Sequence, residues 1–289
     1  MVDASKRYRY VVMKSRIIEL FKSLAGGLEY RLRPWNYSPD ELVVLCMHST
    51  PKHMMPAFDT LLDFLKRHFK VLSPHQLEAY FKGELEQGPY VLFTFDDGLR
   101  NNWHVANALH EHGHAAYFFI VPDFVRAIDQ EAYYRSAIRQ STKPIFDKQA
   151  EDVLPLDESQ LMQLQAQGHA IGSHSMSHTM RATDELLKTQ REVQQSKDEL
   201  SAMLNCDVPA FCSIVNTNLS VGKEARAFID HHYRLHFTTF PGLNAETKNG
   251  RLIYRRNIEL DWSLGMIKYA LGKWDLSRWR GEIERFQQL

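Results

Sequence analysis

Apolar positions along the chain follow two periods. Short continuous apolar runs recur at Leu42–Met47, Tyr90–Phe95 and, written by number, 115–120, 169–173, 210–215, 235–239 and 253–256, with a briefer run at 70–72. Runs of this length rich in β-branched and aromatic residues read as strands buried on both faces. Between them apolar residues recur every three or four positions, as at Phe58, Leu61, Leu62, Phe64 and Leu65. That period predicts helices over 58–65, 74–81, 101–112, 157–167, 183–204, 222–231, 261–271 and 275–286. Gly113 and Gly168 mark helix ends. Strands that alternate with helices imply parallel βαβ units, and this alternation is too regular for two domains. The expectation is α/β, a single distorted (β/α) barrel of about seven strands.

Two stretches break the pattern. From 122 to 155 the chain is polar and aromatic without a clear period, and it is expected to be an insertion near the substrate mouth. Residues 1–37 form a basic N-terminal extension, with eight Lys/Arg against Asp3, Glu19 and Glu29. Within it Val11, Val12, Ile17, Ile18, Phe21 and Leu24 have roughly helical spacing, ending at Gly26-Gly27. This reads either as a helix packed on the barrel domain of residues 38–289 or as a basic amphipathic helix on an anionic membrane face.

Composition narrows the choices. With 35 basic and 35 acidic residues the formal charge of the 289-residue chain is zero, so nothing global argues for nucleic acid. The three cysteines, Cys46, Cys206 and Cys212, show no CxxC spacing and read as thiols of a reducing compartment. No segment reaches 18 uninterrupted apolar residues, and Lys14, Arg16, Glu19 and Lys22 interrupt any signal-peptide core. The expected location is cytoplasmic, with peripheral contact at the inner membrane face through the N-terminal helix.

The chemistry gathers where strands end. The run Tyr90–Phe95 stops at Asp96-Asp97-Gly98, two like charges that need a positive partner. The run at 169–173 leads into His174-Ser175-Met176-Ser177-His178. Were that segment one helical turn, both imidazoles would share a face and could meet one ion. A lone His-x-x-x-His could equally be surface histidines, but its place after a strand, with Asp-Asp-Gly after another, favours a metal. Two nitrogens and one carboxylate with open positions make a catalytic rather than a structural site. Zinc is the default, and nickel, cobalt or iron suit the same ligands.

Thr94-Phe95-Asp96-Asp97-Gly98, together with Gly168 to His178, resembles the polysaccharide deacetylase family (NodB homology, carbohydrate esterase 4). The resemblance implies a metal-dependent hydrolase removing an N-acetyl or other N-acyl group from a sugar in bacterial surface polysaccharide biosynthesis. It implies Asp96 as general base and Asp97, His174 and His178 as metal ligands. Removal of a formyl group or an O-acetyl ester is a variant of this reading. The family's third motif, an Arg-x-Pro-Tyr-like run, falls at Pro209 to Asn218, where the arginine and second proline are absent. Asn216 or Asn218 could stand in. The family's catalytic acid is a histidine near the C-terminus, yet none follows His236. His48 at the end of the first strand is similar to the early histidine of the circularly permuted poly-N-acetylglucosamine deacetylase branch. Arg255-Arg256 follow the last strand; a substrate or carboxylate contact is one reading, with Arg256 the substrate candidate alongside Asn216, and a solvated surface pair is the other. The substrate would be a lipid-linked or nucleotide-linked saccharide. The competing class is an inactive deacetylase-like barrel that binds a saccharide or partner protein.

Overall fold

The computed structural model describes residues 4–32, 35, 37–139, 146–214, 217–247 and 251–288, with side chains from residue 17 onward except those of 219, 273 and 274. Helix α1 (Ala4–Leu32) precedes β1 (Leu42–Met47), α2 (Met55–Lys66), β2 (Lys70–Val71), α3 (Leu77–Lys82) and β3 (Tyr90–Phe95). Then come α4 (Asn102–Glu111), β4 (Tyr117–Ile120), α5 (Pro122–Arg126), α6 (Gln130–Tyr133), α7 (Glu158–Ala166) and β5 (Ala170–Ser173). The chain continues with α8 (Leu186–Gln190), a π-helical turn at Arg191–Gln195, α9 (Ser196–Leu204), β6 (Ala210–Cys212), α10 (Thr217–Ser220) and α11 (Lys223–His232). It closes with β7 (Leu235–Phe237), β8 (Leu252–Ile253), β9 (Arg255–Asn257), α12 (Leu264–Ala270), α13 (Lys273–Arg278) and α14 (Arg280–Gln287).

All strand pairs are parallel, in the order β8-β7-β6-β5-β4-β3-β1-β9, with β2 beside β3. The sheet is thus nearly closed into a barrel. The run at 253–256 is not one strand. It breaks at Tyr254, whose N–H leaves the ladder for Asn244 Oδ1 at 2.9 Å. One residue therefore separates β8, on β7, from β9, on β1, and the two open edges of the sheet are consecutive in the chain.

Strand alternation sorts side chains into two apolar bodies. Leu42, Val44, Tyr90, Leu92, Tyr117, Phe119, Ala210, Cys212, Phe237 and Ile253 fill the barrel. Val43, Leu45, Met47, Phe93, Phe95, Phe118 and Phe211 face the surrounding helices. The capping box of Asp157 and Gln160 starts α7 as the sequence suggests.

Two expectations are corrected. The segment after β4 is not an irregular loop but α5, α6 and a π-helical turn at Tyr134–Ile138, packed through Phe124, Tyr134 and Ile138. Nor does α1 stop at Gly26-Gly27. It runs on to Leu32 because Gly26 is a packing glycine: a Cβ there would lie 2.3 Å from the Gly265 carbonyl oxygen and 2.4 Å from the Tyr269 nitrogen.

Gly26→Ala should therefore push α1 off α12, costing about 1–3 kcal/mol for the overpacking. The check is urea unfolding combined with limited proteolysis of α1. Unchanged stability and unchanged cleavage would show that the two helices are not locked at this point.

Candidate active site

β3 delivers Asp96 and Asp97 to one end of the barrel, and the next residues turn sharply. Asp97 has φ 72° and Gly98 φ 68°. Left-handed backbone at a non-glycine residue is held only where its surroundings demand it. The positive φ favours glycine at 98, where a Cβ would also displace the tip of Ile120, whose Cδ1 would lie 2.8 Å away. Both aspartates are buried, at 1% and 0% exposure.

β5 delivers the histidines, but not on a helical turn. Residues 174–178 form a bend with Ser175 at φ 62° and His178 at φ 59°, in which His178 N–H donates to Ser175 Oγ. This left-handed bend, rather than i, i+4 helix geometry, brings the two rings to 5.1 Å between centroids. Buried Glu192, on the π-helical turn, clamps the bend by accepting from Ser177 N–H at 3.0 Å and Ser177 Oγ at 2.6 Å. The Tyr133 hydroxyl donates to the Ser177 carbonyl from the other side.

The hydrogen bonds of each ring select its tautomer. His174 Nδ1 faces the Cys212 carbonyl at 3.1 Å, and His178 Nδ1 faces the Ala137 carbonyl at 3.0 Å. A carbonyl only accepts, so each Nδ1 carries hydrogen and each Nε2 is left toward Asp97. The Nε2 atoms lie 3.6 Å and 3.3 Å from Asp97 Oδ1. Among the described residues neither Asp97 oxygen receives a hydrogen bond. Burial lowers the His174 pKa to about 4 against the pull of Asp96, so the ring is neutral near pH 7. Burial would lower that of His178 too, but Asp97 beside it prevails and raises it. For Asp97 itself burial acts upward, and His178 with the other histidines outweighs it and lowers the pKa. Two imidazole nitrogens and an unpartnered carboxylate, mutually within 4.8 Å, are a donor set that fits a divalent cation.

Asp96 is held differently. Arg255 grips it with both arms, Nη1 to Oδ1 at 2.7 Å and Nη2 to Oδ2 at 2.8 Å. The guanidinium, fully buried, also donates from Nε to the Thr238 carbonyl and from Nη1 to Thr94 Oγ1. Burial would raise the Asp96 pKa, but Arg255, with His174 behind it, holds the carboxyl well below the usual range. The Cys46 and Cys212 thiols, pushed up by burial and so protonated, face the same carboxylate at 3.4 Å and 3.8 Å.

His48 ends β1, on a loop fixed by α4: Asn102 donates to the His48 carbonyl and to Thr50 Oγ1, and Asn101 accepts from Thr50 N–H. The His48 ring lies with Asp96 in a cluster whose polar atoms are within 4.8 Å of one another. It keeps 15% side-chain exposure, whereas the other site members are nearly sealed. Its Nδ1 is 3.4 Å from Glu259 Oε1. Burial acts downward on this ring, yet Glu259 and then the two aspartates raise the pKa to about 9.

The structure thus brings Asp96, Asp97, His174, His178 and His48 together. Arg256 does not join them. Ile253 and Arg255 face the barrel interior, and alternation turns Arg256 outward, where its Nη1 donates to the Ala270 and Gly272 carbonyls. Both arginines are buried, so they are not a solvated pair: Arg255 makes a carboxylate contact, to Asp96, and Arg256 is turned to backbone carbonyls away from the cluster. Asn216 lies outside the described residues, and Asn218 is engaged with Glu282 on α14. Glu259 behind His48 escaped the sequence reading, as did the identity of the carboxylate that Arg255 meets.

Arg255→Met should leave Asp96 buried and uncompensated, lowering stability by about 3–5 kcal/mol. Adding Asp96→Asn should recover part of that loss. Because the Asp96 pKa is depressed, the pair's contribution is present above the unfolded carboxylate value of about 3.9 and is lost as pH falls through the lower folded value. Urea titrations of wild type and the two variants at pH 7 and at falling pH check this, and equal stability of wild type and Arg255→Met at pH 7 would refute it.

Residues 84–213 match the family model of polysaccharide deacetylases. No curated protein matches the chain. Among solved structures, a deacetylase, PplD, from Streptococcus pyogenes, in complex with acetate, superposes with TM-score 0.58 at 16% identity, covering 80% of this chain and 98% of that one. IcaB from Ammonifex degensii gives 0.57 at 18% identity, covering 81% and 98%. The BpsB deacetylase domain from Bordetella bronchiseptica gives 0.57 at 15%, covering 78% and 98%. At these identities the structures speak for the shared barrel fold. The matched segment contains Asp96, Asp97, His174 and His178, while His48, Arg255 and Glu259 come from outside it. The motifs, the family match and the barrel together bear out the resemblance of this chain to the polysaccharide deacetylases.

Proposed function

We propose that this chain is a metal-dependent hydrolase that removes an N-acetyl group from a sugar. The observation that carries the reading is the buried triangle of Asp97, His174 and His178, with both Nε2 atoms aimed at a carboxylate that receives no hydrogen bond among the described residues. Asp97, His174 and His178 would hold the ion, zinc by preference. Bound there, the ion would polarise the acyl carbonyl and make a water more acidic.

The chain's own residues supply the rest. Asp96, kept ionised by Arg255, takes the proton of the attacking water. It is a weak base, so it serves a water already acidified and releases the proton readily afterwards. The water oxygen bonds to the acyl carbon. His48, protonated at neutral pH through Glu259, donates to the departing nitrogen as the carbon–nitrogen bond breaks. Acetate and a free amino sugar leave. Glu259 keeps the His48 ring oriented and charged between turnovers.

The inactive-barrel reading rested on the missing third-motif arginine. Arg255 reaches Asp96 from another strand, which supports an active site. For the substrate we favour an acetylated amino sugar, lipid-linked or nucleotide-linked, at the cytoplasmic stage of surface polysaccharide assembly.

Asp96→Asn should cut kcat by about 10²–10⁴ while keeping the metal, and His174→Ala should lose both. Acetate release from N-acetylated sugars, paired with elemental analysis, separates the two. Full turnover by Asp96→Asn would remove it from the role of base. A second outcome concerns pH. His48 acts protonated, so activity falls as pH rises through its pKa, and an ion at Asp97 places that limb at or below about 9. Glu259→Gln should move the limb down toward the ordinary histidine value of about 6.5. A pH–rate profile unchanged by this substitution would detach His48 from the proton transfer.

A further inference from the structure

Helix α1 is turned inside out for a surface helix. The face it lays on the domain is small and polar along most of its length, with Tyr30 adding an aromatic contact to Trp35 and His68: Ser23 Oγ pairs with Ser263 Oγ at 2.8 Å, Gly26 sits against Gly265, and Glu29 is buried against Gly272. The opposite face is apolar and open. Ile17, Leu20, Phe21, Leu24, Leu28 and Leu32 fall at helical spacing on one side of the axis. Their exposures reach 60% for Leu20, 68% for Phe21, 63% for Leu24, 51% for Leu28 and 68% for Leu32. A water-facing helix normally arranges these residues the other way round.

Charge says what covers this face. The α1 segment has seven basic residues (Lys6, Arg7, Arg9, Lys14, Arg16, Lys22, Arg31) against Glu19 and Glu29, a sum of +5. The whole chain sums to zero, so all other residues together sum to −5. The excess comes from Lys6, Arg7, Arg9, Lys14 and Arg16, in the part of the helix that leads into the apolar stripe, while within Ile17–Leu32 Lys22 and Arg31 balance Glu19 and Glu29. A second copy of the same face would bring two such helices into mutual repulsion. An anionic lipid surface complements both properties at once. Among the described residues no helix is long and apolar enough to cross a bilayer, so α1 would lie on the surface rather than span it.

We propose that the outward face of α1, from Ile17 to Leu32, beds into the interfacial layer of a membrane containing anionic phospholipid and docks the barrel there. The proposal does not depend on the chemistry of the barrel. Gly26 and Gly265 let α1 lie flush on α12, so the docked helix carries the domain with it rather than trailing on a tether.

Flotation of the full chain with vesicles of phosphatidylcholine, with and without a quarter of phosphatidylglycerol, tests this. The wild type should float with the anionic vesicles and several-fold less with the neutral ones, and high salt should weaken it. Leu24→Gln combined with Leu28→Gln should reduce flotation at least tenfold, with thermal unfolding unchanged because both side chains face water. Phe21→Trp should strengthen it. Equal flotation of the double variant, no flotation of the wild type, or no gain with Phe21→Trp would overturn the proposal. So would a wild-type dimer that the double variant converts to monomer, since the stripe would then be an interface between copies.

Discussion

The bidentate pair between Arg255 and Asp96 is the constraint around which the barrel end is arranged. A fully buried guanidinium and a fully buried carboxylate each cost several kcal/mol to desolvate, and each is tolerable only with the other in place. The pair therefore dictates where β9 sits. For Arg255 to point inward at the level of Asp96, β9 must run beside β1 with Val44 opposite Arg255. That register ends β9 at Asn257 and leaves Glu259 just beyond the strand, beside His48 at the end of β1. One ion pair thereby fixes the carboxylate, the closing strand and the glutamate behind the histidine.

The two aspartates, adjacent in sequence, end in opposite electrostatic situations. Asp96 has a fixed organic cation, two thiols and a neighbouring histidine around it. Asp97 has only the edges of two imidazoles whose other nitrogens are committed to backbone carbonyls. The left-handed turn at Asp97 accompanies this separation: the second carboxylate lies against His174 and His178 rather than Arg255. Strain at Asp97, Ser175 and His178 lies on both sides of the same gap, where irregular backbone is expected if it shapes a site.

Much of this was legible in the chain and some was not. Strands buried on both faces declare themselves as apolar runs, so β1 and β3 were read to the residue. The Asp-Asp-Gly and His-x-x-x-His runs were legible because carboxylates and imidazoles at strand ends are costly without a purpose. A carboxylate contact at Arg255-Arg256 was legible but not which arginine makes it or with which partner, because Asp96 lies 159 residues away and two consecutive arginines look alike until alternation assigns one inward and one outward. The break at Tyr254 was hidden for a related reason: Ile-Tyr-Arg-Arg is good strand sequence, and only the side chain of Asn244 draws its backbone aside. In α1 the spacing of apolar residues was visible, but which face met the domain depended on Gly26 finding Gly265, a contact no local pattern encodes.

The seam at Tyr254 carries a consequence for the order in which the molecule assembles. Among the described strands β9 comes last and pairs with β1, which comes first, so the sheet cannot close at this edge until residues 255–257 have been made. From β4 to β8 each strand pairs with the one before it and can stack there as it emerges. Until that closure Asp96 faces a half-built interior with no counter-charge, and His48 has no glutamate behind it. Competence at this centre therefore waits on residues 255–259, and a copy ended before Arg255 would carry both sequence motifs and neither of the groups that tune them.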